Sequence, residues 1–469
     1  MNNNNENNSF LEKLEFFFRK HRWLFVISSL IITIVFSALL FEFKVSIGGD
    51  DSTYILSANN FIHGISFPDW HGAFYPIFLS FFLKIFGLKL FLFKLLSFAM
   101  IVAHLFLFYL TFRKRVSWTI LLLTMVFMAV CSELLFFGSQ TYSEALFLLL
   151  QILVFASFYR IYDCTEQKES GFFHLFEYWI LLGLSVFLLV ITRNIGWIML
   201  ISAILYFLII KQYKNLVKLI IPFLVFYIPF FIYKVIFWGT KTVGLEGQFG
   251  KMFWINPYDR NEGLETFGSF INRFLINSEQ YLSTHLLNIF SWSDTSEKSL
   301  LFTIAIYIVL AFSGFVVVKK IRHLLFPYIY LVLGLIATFV SQQVMWNQLR
   351  LVLVFVPFMV LIFAESLWKF AEEKKFKKTK YLALLFMFSL IIPSTVKIIK
   401  TSKKHSSVLK ANMQGDKFYG FSEDWKNYLK MAEWVATNIP KNSVVACRKP
   451  GMAFIYSQGK TFTGIYSVP

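Results

Sequence analysis

Asp50 and Asp51 stand side by side in "GGDDSTY", a few residues beyond a long apolar run. Adjacent carboxylates at such a point support two chemistries. They cap the free N–H groups of a starting helix, contributing about 0.5–2 kcal/mol. Alternatively, one of them takes a proton from a hydroxyl during group transfer. Arg193 sits inside an apolar stretch, where a guanidinium is costly and a functional candidate by default; the bland alternative is a side chain whose head reaches the interface. Arg273 and Arg350 are weaker candidates, because a plain surface or orientation role suits each. Glu144, at the end of another apolar run, meets Arg193, a substrate hydroxyl or solvent. Asp69 and His71 could join Asp50 or Asp51 around a divalent ion, since carboxylate and imidazole are competent ligands, though the spacing has no motif strength. There is no zinc-type Cys/His cluster, Walker loop or dinucleotide fingerprint.

The elements that must position these residues are membrane helices. The chain is 57% hydrophobic, 20% aromatic and 15% charged, far from a soluble-domain profile. Runs long enough for a ~30 Å hydrocarbon core recur throughout. The alternating short strands of a membrane barrel are absent from the pattern. Eleven spans are expected, at 23–43, 89–112, 117–137, 142–160, 176–192, 195–210, 217–238, 299–318, 325–343, 350–368 and 380–397. The boundary at Thr192–Asn194 is weak, which leaves ten to thirteen open. The formal charge of +18 resides mainly in short loops between spans, as orientation determinants do. It therefore gives no sign of a nucleic-acid partner. Cys131, Cys164 and Cys447 form no plausible disulfide set.

With the N-terminus inside, most Lys/Arg-rich loops fall on the inner face; the basic "VKIIKTSKK" is an exception. The division expected is a cytoplasmic segment at 1–22, a transmembrane domain at 23–398 with outer loops 44–88 and 239–298, and a small extracytoplasmic α/β appendix at 399–469. Tyr54, Ile55, Ala58, Phe61 and Ile62 share one helical face, the pattern of a helix lying in the interface. "AFYPIFLSFFLKIFG" is apolar but too short to cross. These two predict a pair of outer surface helices. In the tail, Trp425, Tyr428, Ala432 and Val435 share a helical face, "NIPKN" ends that helix, and "SVVAC" reads as a strand.

Several stretches resemble the GT-C membrane glycosyltransferases, in particular the branch of protein O-mannosyltransferases and lipid A aminoarabinose transferases. "DDSTYILSANNFIHG" resembles that branch's acidic pair and surface helix, and "HGAFYPIFLSFFLKIFG" its second surface helix. "TYSEALFLLLQILVFASFYR", "ITRNIGW", "QLRLVLVFVPFMVLIFAESL" and the tail's "DWKNYLKMAEWVATNIP" resemble further segments. The chain departs from the family in its sparser prolines and in His71, where a carboxylate is common.

The resemblance implies an all-α polytopic GT-C-like fold and an enzyme. Its reaction moves a sugar from a polyprenyl-phosphate donor to an envelope lipid, glycan or protein acceptor, on the outer face of a bacterial inner membrane. It makes Asp50 the general base, with Asp51 as the runner-up. Arg193, Arg273 and Arg350 are then assigned to the donor phosphate, because Arg offers forked donors. Tyr54 and Glu144 support them, and Asp69 and His71 would serve if magnesium or manganese is used. No cofactor is required by the residues themselves. The alternative is a transporter or flippase for an envelope lipid or glycan, for which midplane charges and internal repeats are expected. A non-catalytic assembly protein on the same fold is a further one.

Overall fold

The computed structural model describes residues 10–68, 70–167, 172–239, 248–294, 296–370, 379–440 and 443–465. Every expected span is helical, as lipid demands of a backbone that must satisfy its own hydrogen bonds. Spanning length is less uniform. Among the described residues, seven helices are long and apolar enough to cross a bilayer. They become eight if Trp118–Val130 and Ser132–Gly138, bent by 63°, form one span. Phe176–Thr192 and Asn194–Ile209 are shorter apolar pieces. The expected 350–368 span divides into Arg350–Leu353 and Val356–Phe370.

Trp118–Val130 has no side-chain cap of its own. Its first N–H groups are met by two acids distant in sequence. Glu15 accepts from the amides of Trp118 (2.7 Å) and Thr119 (3.0 Å), and Glu365 accepts from the amide and hydroxyl of Ser117, both at 3.1 Å. Negative charge at a helix start also complements the helix dipole.

The segment between Arg22–Leu39 and Leu90–Phe112 contains both expected short helices. Asp50–Ile62 buries Tyr54, Ile55 and Ala58 and packs against Phe74–Phe86. The latter has 13 residues, about 20 Å of helix, too short to span. The 239–298 region holds a longer element than a loop reading suggests. Phe267–Glu279 opens with a reciprocal Thr266–Ser269 cap and continues through a π-helical turn, Gln280–His285, into Leu286–Ile289. Asn277 donates to the carbonyls of Phe339 (2.9 Å) and Gln342 (2.7 Å), which ties this helix to the end of Leu325–Ser341.

The tail helix Glu423–Asn438 buries Leu429, Ala432 and Val435. Strand Val445–Cys447 pairs in parallel with Phe462–Gly464, and helix Pro450–Tyr456 connects them. This unit is entered by a helix that runs unbroken from Thr379 to Met413, so the expected division at 398 falls inside a helix. Pro450–Tyr456 packs on Asp50–Ile62. A Cβ at Gly451 would lie 2.9 Å from the Ser52 backbone, so only glycine permits this approach.

Candidate active site

Between the segment carrying Asp50 and His71 and the ends of several long helices lies a cavity of about 540 Å³, within the size range of small-molecule sites. Asp50, Tyr54, His71, Arg193, Gln348 and Arg350 are among its polar lining residues, with Asn194, Thr338, Ser341 and Gln342. Ile195, Ile198, Ile201, Leu351 and Val354 are among the apolar residues of its wall.

Local backbone breaks aim the charged groups. The helix ending at Thr192 gives way to extended backbone at Arg193 (φ −151°, ψ 143°), followed by a 3₁₀ turn at Asn194–Gly196. Arg193 therefore projects from a gap between two helices rather than from a lipid-facing span. Gly72 has φ +133°, and a Cβ there would sit 2.3 Å from the Thr192 carbonyl. Its bareness lets the loop carrying His71 close onto the Arg193 break.

Two acids and two guanidiniums interlock. Arg350 pairs with Asp50, lies 3.5 Å from Glu144, and donates to the Gln348 side chain at 2.6 Å. Arg193 pairs with Glu144. Glu144 is fully buried, and such a charge is sustained only by partners of this kind. Tyr54 shares a 3.0 Å hydroxyl–hydroxyl hydrogen bond with Ser143. Burial pushes Tyr54 up to about 12, so it remains a protonated phenol at neutral pH. His71 is pushed down to about 4, chiefly by burial, and is neutral. Burial opposes ionisation of Asp50, but the guanidiniums of Arg350 and, further off, Arg193 hold it below its ordinary value. The acid facing the cavity is thus an ionised carboxylate at neutral pH.

Asp51 occupies a different place. It is fully buried and accepts from the Ser46 amide (2.7 Å), the Ser46 hydroxyl (3.1 Å) and the Ser52 amide (2.8 Å). Burial raises its pKa. These bonds fold the loop ahead of the helix; they leave Asp51 outside the cavity lining. Arg273 also lies apart from the site. It pairs with Glu265 and donates to the Met252 (2.6 Å) and Trp254 (3.3 Å) carbonyls, so its donors serve its own 248–279 segment. That placement corrects the expected phosphate role for Arg273. Asp69 lies outside the described residues.

The fit to a divalent ion is poor. Among the described residues no three His, Cys, Asp or Glu side chains converge as a metal group. Asp50 already faces a guanidinium and Glu144 faces two, leaving His71 as the remaining neutral donor.

Several participants escaped the sequence reading: Gln348, Ser143, Ser46 and the ring of Tyr142, which lies beneath Arg350 at 5.1 Å. The available signal was polar clustering where apolar runs meet, in "GSQTYSE" and "WNQLR".

No known family profile and no curated protein matches this chain. Solved structures do. ArnT from Cupriavidus metallidurans in its apo state aligns over 95% of this chain and 86% of its own, at 10% identity and a TM-score of 0.59; the form bound to undecaprenyl phosphate gives 0.57. The Archaeoglobus fulgidus oligosaccharyltransferase tethered to an acceptor peptide aligns over 93% of this chain, at 14% identity and a TM-score of 0.55. The chain spans 63% of that protein's length. These likenesses establish a shared GT-C fold.

Proposed function

We propose that the protein is a membrane glycosyltransferase that moves a sugar from a polyprenyl-phosphate donor to an acceptor hydroxyl or amide on the outer face of the membrane. The observation that carries this reading is the convergence of one ionised acid, Asp50, with two guanidiniums on a cavity whose remaining wall is largely apolar. An isoprenoid phosphate is amphipathic in the same way. Two of the proteins sharing the fold support it further: one was solved with undecaprenyl phosphate and another with a dolichol-phosphate.

In the transfer, the acceptor atom attacks the anomeric carbon and the bond from that carbon to the phosphate oxygen breaks. The bonding pair leaves with the lipid phosphate, and the acceptor's proton passes to Asp50. Arg350 and Arg193 steady the phosphate as its charge grows. Tyr54, held by Ser143, and Glu144, held between the arginines, fix the geometry. The acceptor is an envelope lipid, glycan or protein, and the membrane a bacterial plasma membrane.

The test uses purified protein in detergent, a set of labelled polyprenyl-phosphate sugars and an envelope fraction as acceptor. Label should move to acceptor with wild type and not with Asp50→Asn. Mass comparison of envelope lipids, polysaccharides and glycoproteins with and without the gene then identifies the product. Equal transfer by wild type and Asp50→Asn would reject the assignment of the base.

A further inference from the structure

The cavity has an aromatic side that the transfer chemistry does not use. Trp70, Tyr258 and Trp346 all line it, yet they come from three segments far apart in sequence. Trp70 is 41% and Tyr258 72% exposed. The Trp346 indole N–H donates to the Tyr258 hydroxyl at 3.0 Å. The Lys251 ammonium lies 4.9 Å from the centre of the Trp70 ring and 5.2 Å from that of Tyr258. Trp70 meets His71 edge-on at 6.2 Å, and His71 meets Tyr54 at 5.6 Å. Aromatic surface thus runs from the rim to the helix that carries Asp50.

Tryptophan and tyrosine also gather at membrane interfaces, with their polar tips in the headgroup layer. That role does not account for these three. The indole N–H of Trp346 is spent on a neighbouring ring instead of a headgroup, and the bond fixes how the two rings face. Exposed ring faces beside a polar cavity suit a ligand that is apolar on its faces and polar at its edge. A pyranose has this build: its C–H bonds present positive hydrogens to the negative face of an aromatic ring, while its hydroxyls point outward to hydrogen-bonding groups. Lys251, Gln348 and the Tyr258 hydroxyl lie around the same opening.

We infer that Trp70, Tyr258 and Trp346 form a sugar-ring-binding platform at the cavity's rim. It rests on the glycosyltransferase reading only for which sugar is held, the donor's transferred ring or a ring of a glycan acceptor.

Binding is measured first, without turnover. Full-length protein in detergent is mixed with methyl glycosides of glucose, mannose, N-acetylglucosamine and arabinose, and saturation transfer to their ring protons is recorded by NMR. Transfer is expected with wild type, and should fall at least tenfold in Tyr258→Ala and Trp346→Ala. Thermal melting and retained binding of sugar-free polyprenyl phosphate verify that both variants are folded. Kinetics then separate the two sources. A raised KM for the donor assigns the platform to the transferred sugar, and a raised KM for a glycan acceptor assigns it to the acceptor. Sugar binding without any transfer activity keeps the platform and removes the enzyme reading. Undiminished binding and unchanged KM values in both variants overturn the platform and leave the rings as interface anchors. Absence of saturation transfer in wild type, with unchanged KM values in the variants, overturns it equally.

Discussion

At the scale of the residue, the adjacent acids are divided by burial and by partners. Asp50 faces the cavity and Arg350, whereas Asp51 spends its oxygens on Ser46 and Ser52. Asp50→Asn keeps the shape and takes no helix cap away, since the helix has no side-chain cap, but it no longer accepts a proton, so transfer should drop by roughly 10²–10⁴-fold with little change in melting temperature. Asp51→Asn should do the reverse, lowering the melting temperature before it lowers turnover in any folded fraction. Near-normal transfer by both variants would return the pair to a helix start. The Asp50–Arg350 pair also fixes a pH dependence. Arg350 and its neighbours depress Asp50, so the base stays ionised, and kcat/KM stays level, as pH falls through the usual carboxylate range. Arg350→Gln removes the principal cation, and the acidic limb of the kcat/KM profile should move to higher pH. That profile reports the free enzyme; an unmoved limb would show that Asp50 is not the titrating group.

At the scale of the element, the acid's helix is seated from behind by the tail. Gly451→Ala would force a Cβ to within 2.9 Å of the Ser52 backbone, so Asp50–Ile62 or Pro450–Tyr456 must shift. A misplacement approaching 1 Å costs on the order of a hundredfold in rate. We expect kcat to fall by about ten- to a hundredfold with a smaller change in donor KM, as purified-enzyme kinetics would reveal; unchanged kcat would mean that the contact yields freely. This contact also marks the limit of sequence reading. The helical character of the apolar runs (though not eleven spans), the two short helices of the first loop, the tail helix with Ala432 and Val435 buried, and the Val445–Cys447 strand were legible, because each is written in a local period. The break at Arg193 was legible only as a weak boundary. The helix at Phe267–Glu279 was read as loop, since its inner face is polar, with Arg273 and Asn277 held by carbonyls and Glu265 instead of apolar packing. The pairing of Arg350 with Asp50 joins residues 300 apart, and no periodicity records such a meeting.

At the scale of the whole molecule, the first loop, the 239–298 region and the tail are expected on one face, outside the cell. Ser66, Asn261 and Ser422 are exposed in these three regions. Single cysteines at these positions, in a chain with Cys164 and Cys447 replaced, should react with a membrane-impermeant maleimide on intact cells. Silence at residue 66 in folded protein would remove an outward-facing site. The docking of the tail has a further consequence, for the timing of synthesis. Lys449 donates to the Gly48 carbonyl across 401 positions of sequence, at 3.3 Å, and Gly451 packs on Ser52. The loop carrying Asp50 leaves the ribosome early, but its supports at Lys449 and Gly451 are made about 400 residues later. A chain stopped at about residue 440 should therefore insert its helices and still leave residues 46–64 open to added protease, while a chain that includes residues 443–465 protects them. The activity would then be withheld until the segment around Lys449 is made, so that a shorter copy held in the membrane draws nothing from the cell's supply of lipid-linked sugar.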